Sequence, residues 1–133
     1  MDRQEALAFI ERYTEEVWNQ KNYEQAETFF SDDFIDHDPL PTQGEGRSGF
    51  LTMVKMVHAA YPQMKVENTG LYFDAEEETV IARWSATGSH GDNLLGMLIS
   101  KKPVKMKGVD IFRLQQGKIS ERWGEFDSLG LFS

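Results

Sequence analysis

Near Pro62 the hydrophobic period of this chain changes, from the spacing of helices to the two-residue alternation of strands. Before that point, Ala6, Phe9, Ile10, Tyr13, Val17 and finally Trp18 form an apolar stripe at helical spacing, which predicts a first helix over 2–19 with Asp2 as its cap. A short second helix is expected from Tyr23 to Phe30, burying Ala26, Phe29 and Phe30. A third should begin near Gly46 or Arg47 and end before Pro62, with Phe50, Val54, Val57 and Tyr61 on its buried side. Between them, "SDDFIDHDPLP" reads as extended or irregular, stopped by Pro39 and Pro41. After Pro62 the segments "MKVENTGLYFD", "TVIARWSATGSH", "PVKMKGVDIFRL" and "KISERWGEFD" read as strands, and "GDNLLGMLISKK" as a loop or flap. Helices first and strands afterwards predict an α+β fold, helices gathered against an antiparallel sheet. At 133 residues the chain is expected to be one domain, 1–133.

Composition narrows the chemistry. With 0 cysteines, thiolate nucleophiles, disulfides and Cys-based metal sites are excluded. A net charge of −8 repels nucleic acid and anionic membranes over most of the surface. Lys101, Lys102, Lys105 and Lys107 form the one basic patch, read as a solvated face. No apolar run approaches the roughly 20 residues of a membrane span, and the charged start lacks a signal peptide's apolar centre. A cytoplasmic protein that binds a small hydrophobic or carbonyl-bearing molecule is the expectation.

The last strand signal, "ERWGEFD", carries Glu121, Trp123, Glu125 and Asp127 at alternate positions. Such a face suits the wall of a pocket, apolar enough for a ring system and holding a few acids. A carboxyl there is partly desolvated and able to exchange protons near neutral pH. A two-residue loop around Gly117 would set Phe112 opposite Glu121, Asp110 opposite Trp123, Gly108 opposite Glu125 and Met106 opposite Asp127, while a bulge would shift that pairing by one. On this parity Arg83, Arg113 and Arg122 point outward. His37, in "DHDP", is either a surface histidine or a ring nitrogen aimed into the pocket mouth. His58 reads as a satisfied helix-face histidine, His90 as a strand end or pocket rim, and Trp84 as core. No paired histidine spacing or calcium loop occurs, so no metal is expected. Nucleophilic-serine, phosphate-loop and dinucleotide motifs are absent as well, which leaves cofactor-free acid–base chemistry or plain binding.

"DFIDHDP", "EGRSGF", "ARWSATGSHGD" and "VDIFRLQQGKISERWGEFDSLGL" together resemble the SnoaL-like polyketide cyclases, or ester cyclases, of the nuclear transport factor 2-like superfamily. The resemblance implies a cone-shaped α+β barrel, three N-terminal helices closing a strongly curved antiparallel sheet around an apolar cavity. It also implies Asp127 as the acid–base residue, matches to the family's "DH" at Asp36 and His37 and to its "GxH" at Gly88 and His90, and a homodimer. Asp127, His37 and Asp110 are then the catalytic candidates. Trp123, Glu121, Phe50, Tyr13, His90, Phe112 and Met106 are the candidates for contacting substrate. The implied reaction is an intramolecular aldol cyclisation without cofactor. The segment "SKKPVKM" departs from the family's Thr-Gly loop, and the tail stops at "SLGLFS". Three rival readings remain: a non-catalytic binding protein, a ketosteroid-type isomerase using Tyr13 and Asp110, and an epoxide hydrolase. The last needs an Asp-Arg-Asp constellation in the cavity, against which the outward parity of the arginines argues.

Overall fold

The computed structural model describes residues 1–89 and 103–127. Helix α1 (Arg3–Tyr13) starts at a capping box, in which the Asp2 carboxylate accepts from the Glu5 amide and Glu5 reaches back to the Asp2 amide. Ala6, Phe9, Ile10 and Tyr13 are buried along it. The helix continues to Asn19, but Thr14–Asn19 widens into a π-helical turn that buries Thr14 and Val17. Helix α2 (Tyr23–Ala26) tightens into a single 3-10 turn, Glu27–Phe29, and α3 runs over Gly46–Ala60.

Five strands follow from the rest: β1 (Phe30–Asp36), β2 (Lys65–Asp74), β3 (Thr79–Ser89), β4 (Pro103–Gln115) and β5 (Lys118–Phe126). They form one sheet in the order β1-β5-β4-β3-β2. The β1–β5 pair is parallel and the other three are antiparallel. The architecture is therefore α+β, three helices packed on a five-stranded sheet. The sheet is open, with β1 and β2 at its edges, so it does not close into the barrel that the resemblance implied. β1 is the strand left unassigned within "SDDFIDHDPLP". The core is a cluster of aromatic and aliphatic side chains in which Tyr13, Phe30 and Phe50 are essentially sealed from solvent, with Tyr13 edge-on to Phe30 and Phe112. Among the described residues, no helix is long and apolar enough to cross a membrane.

The β4–β5 hairpin decides what faces inward. Its loop is two residues, Gln116 (φ 52°) and Gly117 (φ 76°), both left-handed as such a tight turn requires. Gln115 pairs with Lys118 and Leu114 with Ile119, but Arg113 then pairs with Glu121. Ser120 is thus an extra residue on β5, buried, with its Oγ donating to the Arg113 carbonyl at 3.2 Å. Because side chains alternate along a strand, this one insertion turns over everything after it. Phe112 faces Arg122, Asp110 faces Gly124 and Gly108 faces Phe126. The expected pairings of Phe112 with Glu121, Asp110 with Trp123, Gly108 with Glu125 and Met106 with Asp127 are all displaced.

Candidate functional site

Helices α1 and α3 and the helix-facing side of the sheet line a cavity of about 170 Å³. That is more than ten times the ~10–15 Å³ a single water needs on the same kind of measure. Its walls are mainly apolar: Phe50, Met53 and Val57 from α3, Tyr13 and Trp18 from the α1 region, and Ala82, Trp84, Met106, Phe112 and Phe126 from the sheet. The polar lining is concentrated in Asp110 of β4, Arg122 of β5 and the segment after β1, which brings Asp38 and Gln43. Thr14 and Asn68 add a second polar edge, the Asn68 amide donating to Thr14 Oγ1 at 3.1 Å.

Arg122 is the hub. Its Nη1 donates to Asp36 Oδ1 and its Nη2 to Asp110 Oδ1, each at 2.9 Å. The three side chains are 4%, 16% and 13% exposed for Asp36, Asp110 and Arg122, so two carboxylates share one guanidinium away from water. Burial pushes the Asp110 carboxyl above the ordinary aspartate value; the Arg122 charge opposes that shift and the Asp36 charge adds to it. Burial by itself would lower the Arg122 pKa, but the Asp110 and Asp36 charges outweigh it and hold the guanidinium ionised. Among the described residues the buried indole Nε1 of Trp84 has no hydrogen-bond partner of good geometry, yet its N–H is near enough to Asp110 to favour the ionised carboxylate. Gly124 makes the pairing possible, because a Cβ there would overlap the Asp110 carboxylate and the Arg122 guanidinium. Tyr13 Oη accepts from the Trp18 indole at 2.9 Å, and burial raises its pKa, so the phenol keeps its proton.

Of the residues singled out from sequence, Asp110, Tyr13, Phe50, Phe112 and Met106 line the cavity. Glu121, Trp123 and Asp127 do not. The Ser120 bulge places them on the other parity of β5, and Asp127 is exposed, its amide donating to the Lys107 carbonyl at 2.9 Å. His37 does not enter the pocket mouth either. Its ring stacks on Trp123 at 4.5 Å on the far side of the sheet, and its Nε2 lies 3.0 Å from Glu121 Oε1. Arg113 meets the same glutamate at 3.5 Å. His90 lies outside the described residues. His58 is satisfied as expected, with Nε2 on the Trp18 carbonyl and Nδ1 on the Tyr23 hydroxyl.

Arg122, read as outward, points inward, and Trp84, read as core, lines the cavity. Asp36, Asp38, Gln43 and Arg122 were missed as site residues. One signal was available for Arg122: its own parity continues with Gly124 and Phe126, a small and an apolar residue suited to a cavity wall.

Comparison with known proteins agrees with this architecture. The family model for SnoaL-like polyketide cyclases matches residues 8–133. A candidate polyketide cyclase from Acidithiobacillus ferrooxidans superimposes with a TM-score of 0.81 at 25% identity, covering 99% of this chain and 95% of its own. TsrD from Streptomyces laurentii gives 0.83 at 19% identity, covering 98% and 94%. A SnoaL-like polyketide cyclase from Agrobacterium tumefaciens gives 0.76 at 19% identity, covering 96% and 94%. No curated protein matches.

Proposed function

Because the chain belongs to the SnoaL-like polyketide cyclase family, we propose that it closes a ring within a small carbonyl-rich molecule by cofactor-free acid–base chemistry, with Asp110 rather than Asp127 exchanging the proton. The observation that carries this reading is one buried carboxyl on the wall of a mainly apolar cavity, accepting from Arg122 through Oδ1. Its Oδ2 accepts no hydrogen bond among the described residues. Asp110 removes a proton from a carbon flanked by two carbonyls, and the C–H electron pair passes into an enolate. The enolate carbon then bonds to another carbonyl carbon of the same molecule, whose π electrons move onto oxygen. The protonated Asp110 returns its proton to that alkoxide. Atoms balance without any further reagent. The apolar walls fold the substrate into a reactive pose. Arg122 has more N–H donors than its carboxylates use, and with the Tyr13 hydroxyl it supplies hydrogen bonds to the developing oxyanion.

Two rivals share this site. Arg122 does stand between two aspartates, the arrangement an epoxide hydrolase needs. Both oxygens of Asp36 are taken, however, which leaves one carboxyl to react and favours the one-carboxyl chemistry. Double-bond migration beside a ketone would use Asp110 with the Tyr13 hydroxyl as donor, and product analysis separates it from ring closure.

The test is hydrogen–deuterium exchange at the activated carbon of a panel of neutral β-diketones, followed by NMR. The wild-type protein is expected to accelerate exchange, Asp110→Asn to lose about 10²–10⁴-fold, and Asp127→Asn to keep the wild-type rate. Exchange that survives Asp110→Asn undiminished overturns the assignment. If ligands raise the melting temperature but no exchange occurs, the protein is a binder instead.

Pairing with a second copy fits the outer side of the sheet. Tyr72, Ile81, Ile111 and Trp123 form one cross-strand row there, flanked by charges of both signs at Arg83, Arg113, Glu121 and Glu125. Ile111→Glu is expected to convert a dimer to monomers in analytical ultracentrifugation, and a wild-type monomer removes the idea.

A further inference from the structure

The segment that leaves β1 hooks back onto β5 at several points. Asp36 Oδ1 accepts from Arg122 Nη1 at 2.9 Å and from the Asp38 amide at 3.1 Å. Its Oδ2 accepts from Gln43 Nε2 at 2.9 Å, and Gln43 Oε1 in turn accepts from the Leu40 amide at 3.1 Å. Asp38 Oδ2 accepts from the Gly124 amide at 2.9 Å, on the same strand as Arg122. The carboxylate of Asp36 is thus fully committed, 4% exposed, and does not line the cavity itself.

A guanidinium is a planar fork, so fixing one nitrogen fixes the direction of the others. Left to a single carboxylate, such a fork tends to engage both oxygens at once. Here Arg122 reaches Asp110 through Nη2 on Oδ1 alone, and Nη1 is turned toward Asp36. We infer that Asp36 is a positioning residue, held by Gln43 from the mouth segment, which keeps Arg122 from chelating Asp110 and so leaves Asp110 Oδ2 for the substrate proton. The inference rests on the reading of Asp110 as the proton-exchanging group. The groups facing Asp110 are Arg122 from β5, Asp36 at the end of β1, Asp38 in the mouth segment, the neutral Tyr13 hydroxyl from α1 and the Trp84 N–H from β3. Removing the Asp36 charge withdraws a repulsion and releases Arg122 onto Asp110, and both changes favour the Asp110 carboxylate.

The experiment titrates the Asp110 side-chain carbon by NMR in the ligand-free, full-length protein, for the wild type, Asp36→Asn and Gln43→Leu. Asp36→Asn is expected to lower the Asp110 midpoint by about one pH unit. The acid limb of β-diketone exchange should move the same way, with kcat falling about tenfold and KM little changed. Gln43→Leu, which keeps the Asp36 charge, should produce a smaller shift of the same sign and carries the test if Asp36→Asn fails to fold. A midpoint that stays or rises in the folded variants overturns the inference, and a shift in Asp36→Asn alone removes Gln43 from it. The titration needs no turnover. A shifted midpoint in a protein that catalyses no exchange keeps Asp36 in this role and removes the proposed reaction.

Discussion

Two guanidinium–carboxylate clusters lie on opposite sides of one hairpin, a single ladder position apart. Inside, Arg122 is opposite Phe112 and binds Asp36 and Asp110. Outside, Arg113 is opposite Glu121, which also meets His37. The residue types are nearly the same. The difference is water: the inner side chains are 4–16% exposed and the outer ones 25–43%. Attraction between charges is several times stronger where solvent is excluded, and so is the penalty for leaving one unpaired. The inner cluster is therefore where a carboxyl holds its proton more tightly than usual, and the outer one is an ordinary solvated ion pair.

The sharpest way to break this comparison is to remove each arginine. Arg122→Met strands two buried carboxylates and is expected to destabilise the protein by about 3–5 kcal/mol, whereas Arg113→Met should cost at most about 1 kcal/mol. Equal losses in urea unfolding would show that the two sides are equally wet. Next in size is Gly124→Ala, whose new methyl overlaps the Asp110–Arg122 pair. It should cost about 1–3 kcal/mol and reduce exchange activity, while Glu125→Ala on the outer parity changes neither. Loss of activity in both would uncouple the effect from the cavity. A third test concerns histidine. Burial lowers the His58 pKa, the Trp18 carbonyl opposes that, and the Lys21 charge adds to it. A histidine with a depressed folded-state pKa contributes stability that is complete above the unfolded value of 6.5 and declines as pH falls below it. The melting temperature should drop from pH 7.5 toward 5.5, and His58→Gln should flatten that slope; an unchanged slope would free His58 of the effect. The smallest effect belongs to His37→Ala, about 0–1 kcal/mol, with exchange activity retained.

The first and third helices were legible because their buried residues recur at helical spacing over three turns or more, whereas the second, expected to reach Phe30, stops at Ala26 in a 3-10 turn and Phe30 opens β1. Asp2 and the stripe from Ala6 to Val17 appear where the sequence placed them. β1 was not legible, since "FSDDFID" shows no clean alternation and its partner, β5, lies about 90 residues away and runs parallel to it. The inward side of β5 was misassigned for one reason. Ser120 looks like any other small polar residue in a strand, and only its bond to the Arg113 carbonyl marks it as an insertion. Asp110, Tyr13, Phe50, Phe112 and Met106 were found because they precede that bulge or lie outside β5. Asp36 was recognised as part of a motif, but its link to Arg122 spans 86 positions and no local pattern encodes it.

The widened turn at Thr14–Asn19 has a consequence beyond the cavity. β2 is an outermost strand, and exposed rows of amides and carbonyls invite another chain to zip onto them. Asn19 forestalls this at Val66: its Nδ2 donates to the Val66 carbonyl at 3.0 Å and its Oδ1 accepts from the Val66 amide at 2.7 Å. One side-chain amide thus impersonates a neighbouring strand, and an incoming peptide finds that rung already occupied.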